Sequence, residues 1–140
     1  MKLKVLFVSI FITLILINIP VSAHRLNVEI LMSNYGYGTG VKTTSQEGWS
    51  GSVSTSIKGD SIYTRAALRY YTQIQERIYY GSLALVTHKR RDHQKRKSDI
   101  GVGKEIDLSQ NSYFTIEGGY STAVPENFYY IIGLNWNWAP

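Results

Sequence analysis

From His24 to Pro140 apolar and polar residues alternate with period two, and turn residues break the alternation about every ten positions. That pattern predicts strands and essentially no helix. Seven segments are clear: Leu26 to Ser33, Trp49 to Ile57, Ser61 to Tyr71, Arg77 to Thr87, Asp99 to Asp107, Ser112 to Tyr120 and Phe128 to Trp138. Between the first two lies YGYGTGVKTTSQEG, where Gly38 to Thr44 reads as a weak extra strand closed by a turn at Gln46 to Gly48, or as part of a long loop.

Successive side chains of a strand point to opposite sides, so each segment can be split into two faces. In the second segment Trp49, Gly51, Val53, Thr55 and Ile57 share one face, and Ser50, Ser52, Ser54, Ser56 and Lys58 share the other. Ile62, Thr64, Ala66, Leu68 and Tyr70 oppose Tyr63, Arg65, Ala67, Arg69 and Tyr71. Ile100, Val102 and Ile106 oppose Asp99, Gly101, Gly103, Glu105 and Asp107, and Phe114, Ile116 and Tyr120 oppose Tyr113, Thr115, Glu117 and Gly119. The first segment sets Leu26, Val28, Ile30 and Met32 against Asn27, Glu29 and Ser33, with Leu31 out of character on the polar side.

The composition of the second face separates two architectures. A soluble barrel or sandwich turns its apolar face inward and shows water a face dominated by long Lys and Glu side chains. Here the second face is mostly Ser, Gly, Ala and Thr, which suits the narrow interior of a small membrane barrel whose apolar face meets lipid. The expected fold is all-β, an antiparallel up-and-down β-barrel of membrane type with about eight strands, Gly38 to Thr44 supplying the eighth. Glu29, Arg65, Arg69, Glu105 and Glu117 are expected to form an interior network of paired charges, because an unpaired buried charge is costly. Trp49, Tyr70, Tyr71, Tyr79, Tyr80, Tyr113, Tyr120, Tyr129 and Tyr130, near strand ends, are expected to form interfacial girdles. Lys104 is the exception on the lipid face: either a place near a strand end lets it reach water, or that strand has a different register.

The N-terminal stretch MKLKVLFVSIFITLILINIPVSA has Lys2 and Lys4, an apolar run from Val5 to Ile17 and the small-residue exit Val21-Ser22-Ala23, the features of a secretory signal peptide cut before His24. Residues 24 to 140 then make one domain. The chain has no cysteine, which rules out disulfides, thiolate metal sites and a thiol nucleophile. Its formal charge of +5 is local: six of the basic residues fall in HKRRDHQKRK, His88 to Lys97. A chain-wide nucleic-acid footprint is not indicated. Lys89, Arg90, Arg91, Lys95, Arg96 and Lys97 are candidates for contact with an anionic lipid or polyanion; the plainer alternative is a solvated turn.

The last strand carries a resemblance. Gly133-Leu134-Asn135-Trp136-Asn137-Trp138 has the spacing Gly-x-x-aromatic-x-aromatic, which resembles the C-terminal β-signal of bacterial outer-membrane β-barrel proteins. In size and pattern the chain is similar to the small barrels of the OmpA and OmpX kind. The resemblance implies residence in the outer membrane, contact with its lipid, and recognition of Gly133, Trp136 and Trp138 by the barrel-assembly machinery. Two positions depart from it: Ile131, where the family prefers a polar residue, and Ala139-Pro140, which follow the final aromatic.

Catalytic chemistry is sparse. The three histidines, His24, His88 and His93, lack metal-ligand spacing, so no metal or cofactor is expected. Some small outer-membrane barrels modify lipid A, which directs attention to Ser and His pairs. Ser82 and His88 share a face but lie about 20 Å apart along one strand, too far for a hydrogen bond, while cross-strand partners stay open. GYGTG and GVGKE do not lie between a strand and a helix and make no phosphate loop; relief of crowding in a narrow lumen or sharper strand curvature is their expected role. The expected function is therefore a non-enzymatic outer-membrane barrel with a structural or interaction role and no open pore. The alternatives are a lipid A-modifying enzyme and a soluble periplasmic β-barrel or sandwich that binds a ligand.

Overall fold

The computed structural model describes residues 25–44, 48–75 and 77–138. The expected signal peptide, the expected turn residues Gln46 and Glu47, and Ala139-Pro140 lie outside the described residues. Eight strands follow one another: β1 (Arg25–Ser33), β2 (Gly36–Thr44), β3 (Trp49–Lys58), β4 (Ser61–Ile74), β5 (Arg77–Arg90), β6 (His93–Asp107), β7 (Ser112–Ser121) and β8 (Phe128–Trp138). Each pairs antiparallel with the next, and β8 pairs with β1 from Leu26 opposite Trp138 to Ser33 opposite Ile131, so the sheet closes. Closure removes both sheet edges, which stabilises a chain that has no disulfide.

The weak eighth strand is present. β2 pairs along its whole length with β1 and nearly all of it with β3. Its poor hydrophobic signal has a physical cause in Gly38 and Gly40, which point inward where a Cβ would strike the backbone or side chains of Thr55, Ser56 and Ser54 on β3. The strand is glycine-rich because its inner face has no room.

Inside and outside follow the alternation. Exposed Ile30, Leu68, Leu83, Leu85, Ile100, Val102 and Ile116 form an apolar belt around the outer wall. Buried Ser52, Ser54, Ser82, Thr115 and Asn135 fill the interior. The two ends differ in what they carry. One end holds both ends of the described chain, the β4–β5 turn and the β6–β7 loop; the other holds the β1–β2, β3–β4 and β5–β6 turns and the β7–β8 loop.

Outward aromatics gather near both ends. Trp49, Tyr70, Phe114 and Trp136 lie toward the end with the termini, with Trp49 and Tyr70 in contact at 4.8 Å between ring centroids. Tyr37, Tyr120, Phe128 and Tyr130 lie toward the other. The expected girdle needs correcting at four positions: Tyr80, Tyr113 and Tyr129 are buried in the lumen, and Tyr71 turns inward beside Lys42. A strand-end tyrosine reaches lipid or lumen according to its register, and these four fall on the inner parity. Lys104 faces outward opposite Tyr79, with its ammonium 5.7 Å from that ring, so it sits at the girdle of the termini end and not at mid-belt.

The structure also revises the basic segment. The turn is confined to Arg91 and Asp92, Arg91 with φ of 54°, while β5 and β6 continue in register through the rest of His88 to Lys97 up to Arg90 opposite His93. The hairpin rises beyond β7, whose last residue Ser121 pairs with Asp99. Above the belt both faces are polar, so the hydrophobic alternation that marks a strand fades while the ladder persists.

Candidate functional site

The lumen holds a chain of charges. Arg69 on β4 donates from Nε to Glu117 Oε1 on β7 at 3.1 Å and from Nη1 to Glu29 Oε1 on β1 at 3.4 Å. Arg65, two inward positions away along β4 with Ala67 between them, donates to the other oxygen of Glu117 and, from Nε, to Asp99 Oδ2 on β6 at 2.9 Å. Tyr129 donates to Glu117 Oε2 at 2.8 Å, and Tyr35 donates to Asp99 Oδ1 at 2.7 Å. All five charged residues are at most 4% exposed. Nearer the termini end a second pair stands apart: Lys42 Nζ lies 2.7 Å from Glu105 Oε1, donates to Tyr71 at 3.0 Å, and lies 4.5 Å from the centre of the Tyr113 ring.

Of the charges expected inside, Glu29, Arg65, Arg69 and Glu117 are brought together and Glu105 pairs separately with Lys42. Lys42 and Asp99 are the members that sequence reasoning did not name. Lys42 was hidden in the glycine-rich strand. Asp99 already stood on the polar parity of its segment, and that parity was the available signal.

Toward the hairpin end the lumen becomes apolar. Leu31, Tyr35, Tyr63, Val86, Val124, Tyr129 and Ile131 form a buried cluster, with Val124 brought over the lumen by the β7–β8 loop. Leu31 and Ile131 are the two residues that break the polar pattern of their inner faces, and they meet here. The plug explains both exceptions. At the opposite end the interior opens into a cavity of about 660 Å³ lined by Asn27, Tyr71, Glu105, Tyr113 and Asn137 among others. The lumen is thus a blind vestibule closed by salt bridges and then by an apolar lid.

The glycines of GVGKE serve the same interior. A Cβ on Gly103 would strike the Tyr80 ring, and one on Gly101 would strike the Tyr129 hydroxyl. Both tyrosines reach the charge network only because β6 leaves that space.

The histidine and serine chemistry is local to the rim. Ser82 lies inside at 4% exposure and accepts from Arg65 at 3.3 Å, so it is no partner of His88. His88 Nε2 instead lies 3.0 Å from Ser61 Oγ across the β4–β5 ladder, and its ring stacks on Tyr63 with centroids 4.4 Å apart. Among the described residues no carboxylate lies within 4.0 Å of a His88 nitrogen, and no cluster of three or more His, Asp or Glu is placed to hold a metal. The candidate basic residues divide by parity. Lys89 and Arg96 face outward, and Arg90, Lys95 and Lys97 face inward with His88; Arg91 is in the turn.

On the last strand Gly133 faces the lumen, where a Cβ would lie 3.0 Å from Leu31, and Trp136 faces outward at 40% exposure. The backbone of Trp138 pairs with Leu26. No family model and no curated protein sequence matches the chain. Among solved structures the chain is similar to the N-terminal β-barrel domain of Pseudomonas aeruginosa OprF, with TM-score 0.60 and 13% identity, over 81% of this chain and 97% of that one. The chain has the fold of a small outer-membrane β-barrel. At that identity the likeness speaks for the architecture alone.

Proposed function

We propose that the protein resides in the outer membrane as a closed barrel with a structural or interaction role and without an enzymatic step or a diffusion pore. The observation that carries this reading is the inversion of faces: aliphatic side chains 50 to 71% exposed, such as Leu68, Leu83, Leu85 and Val102, circle the wall while Arg65, Arg69, Glu29 and Glu117 are buried within. Exposing that belt to water is unfavourable by roughly 25 cal/mol for each Å² of apolar surface, and lipid removes the penalty. Two aromatic girdles fit the same setting. The termini end faces the periplasm in this reading, because a barrel inserted from that side leaves both termini there, and the basic hairpin then reaches the outer leaflet. Gly133, Trp136 and Trp138 would present the assembly signal. The test is membrane fractionation followed by gel migration with and without heating: the reading expects a detergent-requiring, heat-modifiable species, and a soluble monomer would contradict it.

The second reading is a lipid-modifying enzyme, favoured by the Ser61–His88 hydrogen bond at 3.0 Å. A serine nucleophile needs a base and a group that orients that base, and among the described residues no carboxylate stands beside His88. Its stacking on Tyr63 accounts for the ring's position without catalysis. Comparing lipid A from cells carrying the native protein and Ser61→Ala decides between the two: identical acylation supports the non-enzymatic reading, and loss of a modification supports the enzyme.

A further inference from the structure

The β5–β6 hairpin has two cationic faces with different surroundings. On the outer wall β5 runs Leu83, Leu85, Thr87, Lys89, and β6 runs Ile100, Ser98, Arg96, Gln94 beside it. The register sets Leu83 against Ile100, Leu85 against Ser98, Thr87 against Arg96 and Lys89 against Gln94. Within two cross-strand pairs the wall changes from bare aliphatic to cationic, and Lys89 lies about 13 Å along the strand from Leu85. On the neighbouring β4 the outward residues at this level are Ile62, opposite Lys89, and Thr64, opposite Thr87. None of these outward positions is acidic, and neither Lys89 nor Arg96 makes an ion pair among the described residues.

Directly below these two cations the outer wall is grooved. Ala66, Leu68, Leu83, Leu85, Ile100 and Tyr120 line a shallow depression of about 420 Å³ that spans β4, β5, β6 and β7. Small Ala66 and Ser98 between larger neighbours make the depression. An acyl chain fits its apolar lining, and Ser98, the outward residue next to Arg96 on β6, lies on its edge.

We propose that Lys89 and Arg96 form a binding site for the phosphate of an anionic lipid whose acyl chain occupies this groove. The site rests on the outer-membrane reading above and adds a ligand to it. Arg96 can offer two N–H donors to one phosphate while Lys89 acts as a point charge beside it. Arg90, Lys95 and Lys97 face the other way, over the lid of the lumen, and take no part. The site is therefore a property of one face and not of the hairpin's total charge.

The test is native mass spectrometry of the mature chain refolded in detergent micelles and supplied with phosphatidylglycerol, with diacylglycerol of the same acyl chains, or with inorganic phosphate. Phosphatidylglycerol adducts are expected to persist on the native protein, and to fall by roughly tenfold or more in Lys89→Ser/Arg96→Ser. They are expected to fall also in Ala66→Trp, which fills the groove, and to stay unchanged in Arg90→Ser/Lys95→Ser. Full retention in the outward double variant overturns the proposal, as does an equal loss in the inward one. Equal retention of diacylglycerol removes the phosphate from the account, and equal retention of inorganic phosphate removes the lipid. Heat-modifiable migration of each variant is read in parallel. A chain that stays soluble without detergent contradicts the outer-membrane reading, whereas a folded barrel that does not discriminate among the probes contradicts this site alone.

Discussion

Arg69 Nε donates to Glu117 Oε1 at 3.1 Å across the lumen, joining β4 to β7, two strands that do not pair with each other. With Arg65 on the other oxygen of the same carboxylate, Glu117 is the hub of the interior. Backbone ladders hold neighbours together around the ring, and this hub ties the ring across its diameter.

Removing the hub should be severe. Glu117→Ala leaves two guanidinium groups buried without their main partner, and a broken buried pair costs about 3 to 5 kcal/mol. Urea unfolding in micelles should show that loss. Arg69→Met alone should cost a similar amount, and the double variant Arg69→Met/Glu117→Leu should cost less than the two single losses added together.

The glycines on β6 predict a contrast with β5. Gly103→Ala places a Cβ against the Tyr80 ring, whereas a Cβ at Gly81 meets nothing within 4 Å. Overpacking a filled interior costs about 1 to 3 kcal/mol, and an exposed substitution away from such features stays within roughly 0.5 kcal/mol. The same unfolding measurement on both variants should separate them clearly.

Depth on the outer wall gives a third prediction. Leu83 lies in the middle of the apolar belt, and an arginine there should cost about 2 to 4 kcal/mol for a barrel in a bilayer. Lys104, beside Tyr79 at the girdle, should tolerate exchange for Arg or Gln with little change. A barrel living in water would show the reverse concern, since Leu83→Arg would only improve its solubility.

The closed lumen predicts silence in a planar bilayer. Arg65, Arg69 and Glu117 fill the middle, and Tyr35, Tyr63 and Val124 cover the end beyond. No steady single-channel current should appear for the native protein, and a stable open conductance would require the plug to leave.

Much of this was legible in the sequence, for a definite reason. Period-two alternation survives wherever one face meets lipid and the other a narrow interior, so β1, β3, β4, β7 and β8 could be placed to within a few residues. The small residues opposite the apolar ones identified which face lay inside, and that placed Glu29, Arg65, Arg69 and Glu117 on one inner wall. Lys42 was obscured because β2 gives up side chains at Gly38 and Gly40 to make room for β3. The continuation of β5 and β6 through His88–Lys97 was obscured because strands above the belt are wet on both sides and carry no hydrophobic signal. Leu31 and Ile131 looked like faults in the pattern. They pack together only once β1 and β8 close the barrel, a contact that no local window contains.

The face inversion is tested most directly by a cysteine scan along β5, which the absence of native cysteine makes clean. Spin labels would be placed one at a time from Ser82 to Lys89 in bilayers, and their collisions with oxygen and with a water-soluble nickel chelate compared. The account predicts high oxygen and low nickel accessibility at residues 83 and 85, low accessibility to both at 82, 84 and 86, and a change to nickel accessibility at 89. Nickel accessibility at 83 and 85 equal to that at 89 would contradict it.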